Sequence, residues 1–274
     1  MIRRFVVLLT FAFACILAIA QDRVVVKDSE KTLDTQWNGK HVAYLGDSMT
    51  DPNTSVTTYW YWQYLKELLN IDYSVYAVSG YQWSDIYRMA EKVYAEKKDS
   101  IHAVFIWAGT NDYNNNLPIG DFFTEEIKQT NHNGKFVNRK HRTFILSDST
   151  FCGRINKVLS FLKEHYPTKQ IVILTPIHRG YAKFGAQNIQ PSEDFANGQG
   201  LYLDAYIDAL KKAGSYWSVP VIDLYSISGL YPVADSFTPY FTNEKTDRLH
   251  PNAKGHYRLA KTIQYQLLTL PSEY

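Results

Sequence analysis

The sequence is poor in cysteine, and one of its two, Cys15, lies inside an apolar N-terminal run. The other, Cys152, then stands alone, which excludes an intramolecular disulfide and a cysteine-based zinc site. No G-x-S-x-G, H-E-x-x-H, phosphate-binding loop or G-x-G-x-x-G is present, which removes the α/β-hydrolase elbow, the zinc peptidases and the common nucleotide sites. After residue 20 no stretch approaches the ~18 consecutive apolar residues of a membrane span. No internal repeat and no Gly/Ser/Pro-rich linker divides the chain. Excess charge is also missing, with 29 basic against 27 acidic residues. That balance argues against a general nucleic-acid binder. With 45% hydrophobic and 20% charged residues, disorder is excluded as well.

What is present begins with MIRRFVVLLTFAFACILAIA. Two arginines, an apolar run of about 16 residues and Ala18-Ile19-Ala20 form the pattern of a secretory signal peptide cleaved after Ala20. The export this predicts is secretion or delivery to a periplasm. Lipoprotein anchoring at Cys15 is not expected, because Phe13 precedes Ala14-Cys15 and more apolar residues follow. Loss of Arg3 and Arg4 brings the basic count to 27, equal to the acidic count. Residues 21–274 are long enough for one well-buried domain, with its core over about 41–268.

Strand and helix patterns alternate along that domain. Val42–Leu45, Tyr73–Val78, Ile101–Trp107, Gln170–Leu174 and Val219–Leu224 read as strands. Tyr59–Leu69, a segment opening at Ser84-Asp85, one starting near Ser149, Leu201–Ala213 and a last one capped by Asn252 read as helices. This alternation predicts an α/β fold, a three-layer α/β/α sandwich around a central parallel sheet. In such sheets ligands bind beyond the carboxyl ends of the strands. Two long stretches without clear periodicity, Tyr113–Asp148 and Ile177–Gly200, follow strand ends and are expected to wall a binding site.

Four short patterns fall at those strand ends. Gly46-Asp47-Ser48 puts a serine hydroxyl on a strand-to-helix turn, beside backbone N–H groups suited to a developing anion. Gly80 lets the backbone approach a ligand closely. Asn111, in Gly109-Thr110-Asn111-Asp112, offers an amide with two donors, and Asp112 is read as a brace for the turn. Asp247-Arg248-Leu249-His250 can set a carboxylate against Nδ1 of an imidazole, leaving Nε2 to take a proton from a serine. Taken singly, Ser48 is also a good helix cap, Gly80 and Asn111 are ordinary turn residues, and the histidine motif is an ordinary loop. Their common order along one chain, serving one chemistry, is what stands out.

In that order the sequence resembles the SGNH/GDSL hydrolases, with Ser48, Gly80, Asn111 and His250 on the four family blocks. The second block departs from the usual pattern. Val78 stands where asparagine is frequent, and Trp83 stands where a second glycine is common. The resemblance implies a flavodoxin-like SGNH hydrolase fold and a triad of Ser48, Asp247 and His250. It also implies an oxyanion hole from the Ser48 and Gly80 N–H groups and the Asn111 amide. Ester hydrolysis through an acyl-serine follows, with no cofactor and no metal. His256 is read as structural or surface.

Three substrate readings follow. A carbohydrate esterase removing acetyl or similar groups from a glycan or small-molecule ester is favoured by export and by 15% aromatic residues. Tyr81, Trp83 and Tyr113 are candidate contacts for that substrate. The alternative is a lipase, lysophospholipase or thioesterase-type acylhydrolase, with Phe122, Phe123, Phe136 and Phe144 lining an acyl groove. A third is a carbohydrate-binding protein without turnover. Oligomeric state is left open.

Overall fold

A computed structural model describes residues 23–31 and 34–274. The signal-peptide reading, the cleavage after Ala20 and Cys15 lie outside the described residues. In chain order the first elements are β1 (His41–Gly46), α1 (Tyr61–Leu69), β2 (Asp72–Ala77), α2 (Trp83–Lys97), β3 (Ala103–Trp107) and α3 (Thr110–Asn114). Next come β4 (Phe123–His132), β5 (Lys135–Phe144), α4 (Phe151–His165), β6 (Gln170–Leu174), β7 (Ala182–Gly185), β8 (Asn188–Gln190) and α5 (Leu203–Trp217). The chain ends with β9 (Val221–Ile222), α6 (Leu224–Ile227), β10 (Phe241–Asn243), β11 (Asp247–Pro251) and α7 (Ala253–Leu267).

Five strands form a parallel sheet in the order β2-β1-β3-β6-β9. Alternate side chains serve opposite faces, as strand geometry requires. Val42, Tyr44 and Phe105 pack with α1, α7 and Trp37. Ala43, Leu45, Val104 and Ile106 pack with α2, α4 and α5. Both faces are therefore covered, which explains why β3 and β6 are buried at every position. The predicted three-layer sandwich is the observed one. Strand order reverses at β1, so a crevice opens between the carboxyl ends of β1 and β3. Gly46 is level with both Ala77 and Trp107 in the register. Residues just past those three positions consequently gather at one edge.

The structure corrects several expectations. The predicted strand Val219–Leu224 is reduced to two residues. The Asp223 side chain accepts from Ser226 N and starts the short helix α6 at Leu224. Tyr113–Asp148 is not an unpatterned wall. It contains the β4–β5 hairpin, ten residue pairs long and turned at Asn133-Gly134, both with positive φ. Asn-Gly is the residue pair such turns prefer. At the hairpin root, Phe144 stacks 4.0 Å from Trp217, and Phe123 meets Tyr216 at 4.9 Å. Asn156 Nδ2 donates to the carbonyls of Phe122 and Ile145, 2.9 Å each. Its anchors therefore lie on α4 and α5, away from the strand ends. Ile177–Gly200 behaves differently. It supplies β7 and β8 to a second, antiparallel sheet ordered β10-β11-β7-β8.

Candidate active site

The turn after β1 is built around a glycine and a carboxylate. A Cβ at Gly46 would fall 2.6 Å from Thr50 Oγ1 and 2.9 Å from the Trp107 carbonyl, so no larger residue fits. Asp47 closes the turn. Its carbonyl accepts from Thr50 N and Asp51 N, and its Oδ1 accepts from Met49 N at 3.0 Å. This fixes Ser48 at the top of β1. The turn after β2 is tied to it, because Val78 N donates to the Gly46 carbonyl and Ser79 N donates to Asp51 Oδ2 at 2.9 Å. Gly80 follows with φ +85°, a conformation that favours glycine. Among the described residues the N–H groups of Ser48 and Gly80 have no acceptor. Two donors are thus left for a ligand.

The third strand end brings Asn111 to the same place. Its Nδ2 donates to the Tyr81 carbonyl at 3.0 Å and to Asp47 Oδ2 at 3.2 Å. Asp112 is fully buried and braces the turn, as expected. It accepts from Trp83 N at 3.2 Å and from Arg154 Nη1 at 2.9 Å. Burial pushes its carboxyl up to about 7, against the pull of Arg154.

The fourth element arrives from the second sheet. Asp247 and His250 lie on β11, whose start is held by pairing of Asp247 with Ala182 on β7. Asp247 Oδ1 accepts from Leu249 N at 3.1 Å and His250 N at 3.0 Å, folding the segment around the carboxylate. Asp247 Oδ2 lies 2.9 Å from His250 Nδ1, and His250 Nε2 lies 2.8 Å from Ser48 Oγ. With Nδ1 donating to the carboxylate, Nε2 is left to accept from the serine hydroxyl. All three side chains are nearly buried. This relay can take a proton from serine and return it to a leaving group.

Of the proposed substrate contacts, Tyr81 is half-buried and lends its carbonyl to Asn111. Trp83 is not at the surface. It opens α2 and points into the core, fully buried, because the helix start turns its indole inward. Tyr113 is a bracing residue. Its hydroxyl donates to the Phe195 carbonyl at 2.8 Å, and its ring packs on Tyr206.

Three participants have no sequence signal of their own. Asp47 was visible only as part of the serine motif. Burial raises its carboxyl to about 6, opposed by the Met49 N–H and the nearby His250. Arg179 is a buried cation whose Nη1 donates to Thr110 Oγ1 at 3.1 Å and whose Nη2 donates to Gln190 Oε1 at 2.5 Å. It links the loop after β6 to the end of β3. Phe184 on β7 lies against the ring of His250. His256 is buried and structural, its Nδ1 accepting from Tyr61 N at 3.3 Å. Among the described residues no cluster of three or more His, Cys, Asp or Glu is arranged to hold a metal. No helix among them is long and apolar enough to cross a membrane.

Comparison with known proteins agrees with this geometry. A crystal structure of a protein from Lactobacillus plantarum shares 26% identity, covers 83% of this chain and 96% of its own, and has a TM-score of 0.65. A member of the lipolytic G-D-S-L family from Veillonella parvula shares 15% identity over 84% of this chain and 100% of its own, with a TM-score of 0.54. A catalytic mutant of Axe2, an acetylxylan esterase from Geobacillus stearothermophilus, shares 18% identity over 84% of this chain and 94% of its own, with a TM-score of 0.51. No curated protein matches the chain significantly. The model of the GDSL-like lipase/acylhydrolase family matches residues 44–258, a span holding all four strand-end motifs. By that match the chain belongs to the GDSL-like lipase/acylhydrolase family and is a serine hydrolase acting on ester bonds.

Proposed function

We propose that Ser48 is the nucleophile, His250 its general base and then acid, and Asp247 the group that orients and stabilises the imidazolium. The observation that carries this is the continuous relay of 2.8 and 2.9 Å from Ser48 through His250 to Asp247. Attack on an ester carbonyl gives a tetrahedral oxyanion, held by the free Ser48 and Gly80 N–H groups and the Asn111 amide. Collapse expels the alcohol, which takes its proton from His250 Nε2. Water, deprotonated by the same nitrogen, then releases the acid.

The substrate we favour is a short acyl group, such as acetyl, on a glycan met outside the cytoplasm. The arginine-led apolar N-terminus supports export. Tyr181, Phe184 and Phe195, on the segment beside β11, expose aromatic faces of the kind sugar rings pack on. The long-chain alternative has lost its groove. Phe122, Phe123 and Phe144 pack at the hairpin root against Tyr216 and Trp217. The cavity there, about 650 Å³ and lined by Glu125, Arg142, Asp208 and Lys212, is charged and remote from the relay. Similarity in fold to an acetylxylan esterase points the same way.

Hydrolysis of acetyl and octanoyl esters by the same preparation tests the substrate, and acetyl esters are expected to be cleaved faster. The reverse order would sink the glycan reading. Ser48→Ala is expected to abolish turnover of both while leaving the circular dichroism spectrum unchanged.

A further inference from the structure

We propose that Asp47 is a positioning residue that aims the Asn111 amide at the oxyanion, a role that rests on the catalytic reading above. The argument begins with the hydrogens of Asn111 Nδ2, of which there are two. Both are engaged in the free protein, one by the Tyr81 carbonyl at 3.0 Å and one by Asp47 Oδ2 at 3.2 Å. The amide is held between two acceptors that belong to the two other oxyanion elements. Asp47 adjoins Ser48, and Tyr81 adjoins Gly80. One carboxylate and one carbonyl therefore set the three donors in a single geometry. An incoming oxyanion shares a hydrogen already aimed into the site, so no rotamer search is needed at the moment of reaction.

Asp47 can do this because both of its oxygens accept. Oδ1 takes the Met49 N–H at 3.0 Å, and Oδ2 takes the Asn111 amide. The side chain is buried, so water does not substitute for either bond. An asparagine at 47 has the same shape but one acceptor and one donor. With its NH₂ toward Asn111, two amide donors face each other. With the side chain flipped, the NH₂ faces the Met49 N–H. Either orientation opposes donors, and the first drives the Asn111 amide away from the oxyanion. A serine at 47 is smaller and removes the acceptor without setting a donor against Asn111. The positioning role thus predicts an order of damage that side-chain size alone would reverse.

The experiment measures kcat and KM on an acetyl ester for Asp47→Asn, Asp47→Ser, Asn111→Ala and the pair Asp47→Asn/Asn111→Ala, with the melting temperature of each. Asp47→Asn is expected to lower kcat by about 10²-fold with KM changed by about twofold or less. Asp47→Ser is expected to lose less, although it is the less conservative change. In the pair, kcat is expected to equal that of Asn111→Ala alone, because Asp47 acts only through that amide. Losses that multiply in the pair would overturn the proposal, as would a larger loss in Asp47→Ser than in Asp47→Asn. Ser48→Ala run alongside separates the two readings. An active Ser48→Ala variant would overturn the catalytic assignment itself. An inactive one together with a fully active Asp47→Asn would remove only the role of Asp47.

Discussion

The ring of Phe184 lies 5.3 Å from the imidazole of His250, tilted by 55°. Phe184 is 43% exposed, so one side of its ring covers the histidine and the other faces solvent. That is the place of a substrate-facing wall. Phe184→Ala is expected to raise KM for the ester by roughly three- to tenfold, the effect of losing about 1 kcal/mol of apolar contact. Because its exposed ring contributes little to the core, the melting temperature should move little. Steady-state kinetics check this, and an unchanged KM would remove Phe184 from the binding wall.

Asp247 has two tasks, orienting His250 and folding its own segment. Asp247→Asn keeps an oxygen for one task but offers an NH₂ where the other needs an acceptor. We expect kcat to fall by ~10²–10⁴-fold, with a smaller change in KM. Asp247→Ala, which also strands the Leu249 and His250 N–H groups, should in addition lower the melting temperature. Equal melting temperatures for the two variants would contradict the folding role.

Arg154 and Asp112 form a buried pair at the N-terminal end of α2. Removing only the cation leaves a carboxylate without its counter-charge. Arg154→Met is therefore expected to destabilise by about 3–5 kcal/mol in urea unfolding. Adding Asp112→Asn should recover part of that loss. If the double variant is no more stable than Arg154→Met, the penalty does not come from the uncompensated charge.

His256 supplies a pH dependence with a definite sign. Burial lowers its pKa from 6.5 to about 3. Between those values the unfolded chain binds a proton that the folded chain refuses. Stability contributed by this group is present above about pH 6.5 and is lost as the pH falls toward 3. His256→Asn keeps an acceptor for the Tyr61 N–H but does not titrate. Its stability should decline less steeply than wild type over that window. Urea midpoints at pH 7, 5 and 4 decide it, and parallel curves would refute the assignment.

The central sheet was readable because its inner strands are covered on both faces. Ala103–Trp107 and Gln170–Leu174 are written as continuous apolar runs, and such runs stand out from loops. The site was readable because open parallel sheets gather their strand ends, so short motifs in the right order suffice. The second sheet was not readable. Ala182–Gly185, Asn188–Gln190 and Phe241–Asn243 are three or four residues long and largely exposed. Their pairing partners, not their own pattern, make them strands. Asp247 and His250 were legible as chemistry, but their mounting on such a strand was not. In β4 and β5 charged and polar residues occupy most positions on both sides, which hid the alternation although Asn133-Gly134 marked the turn. Trp83 shows the opposite failure. Closeness to Gly80 in sequence suggested a ligand contact, whereas the helix beginning there directs the side chain to the core.

The hairpin also bears on how the chain can vary. Its two ends leave the body side by side, since Ile145 N donates to the Phe122 carbonyl at 2.9 Å. A segment that departs and returns at one point can be shortened, lengthened or exchanged without altering the path of the chain on either side. Residues 123–144 are in that sense a removable appendage, free to diverge while the strand ends that carry Ser48, Asn111 and His250 keep their spacing.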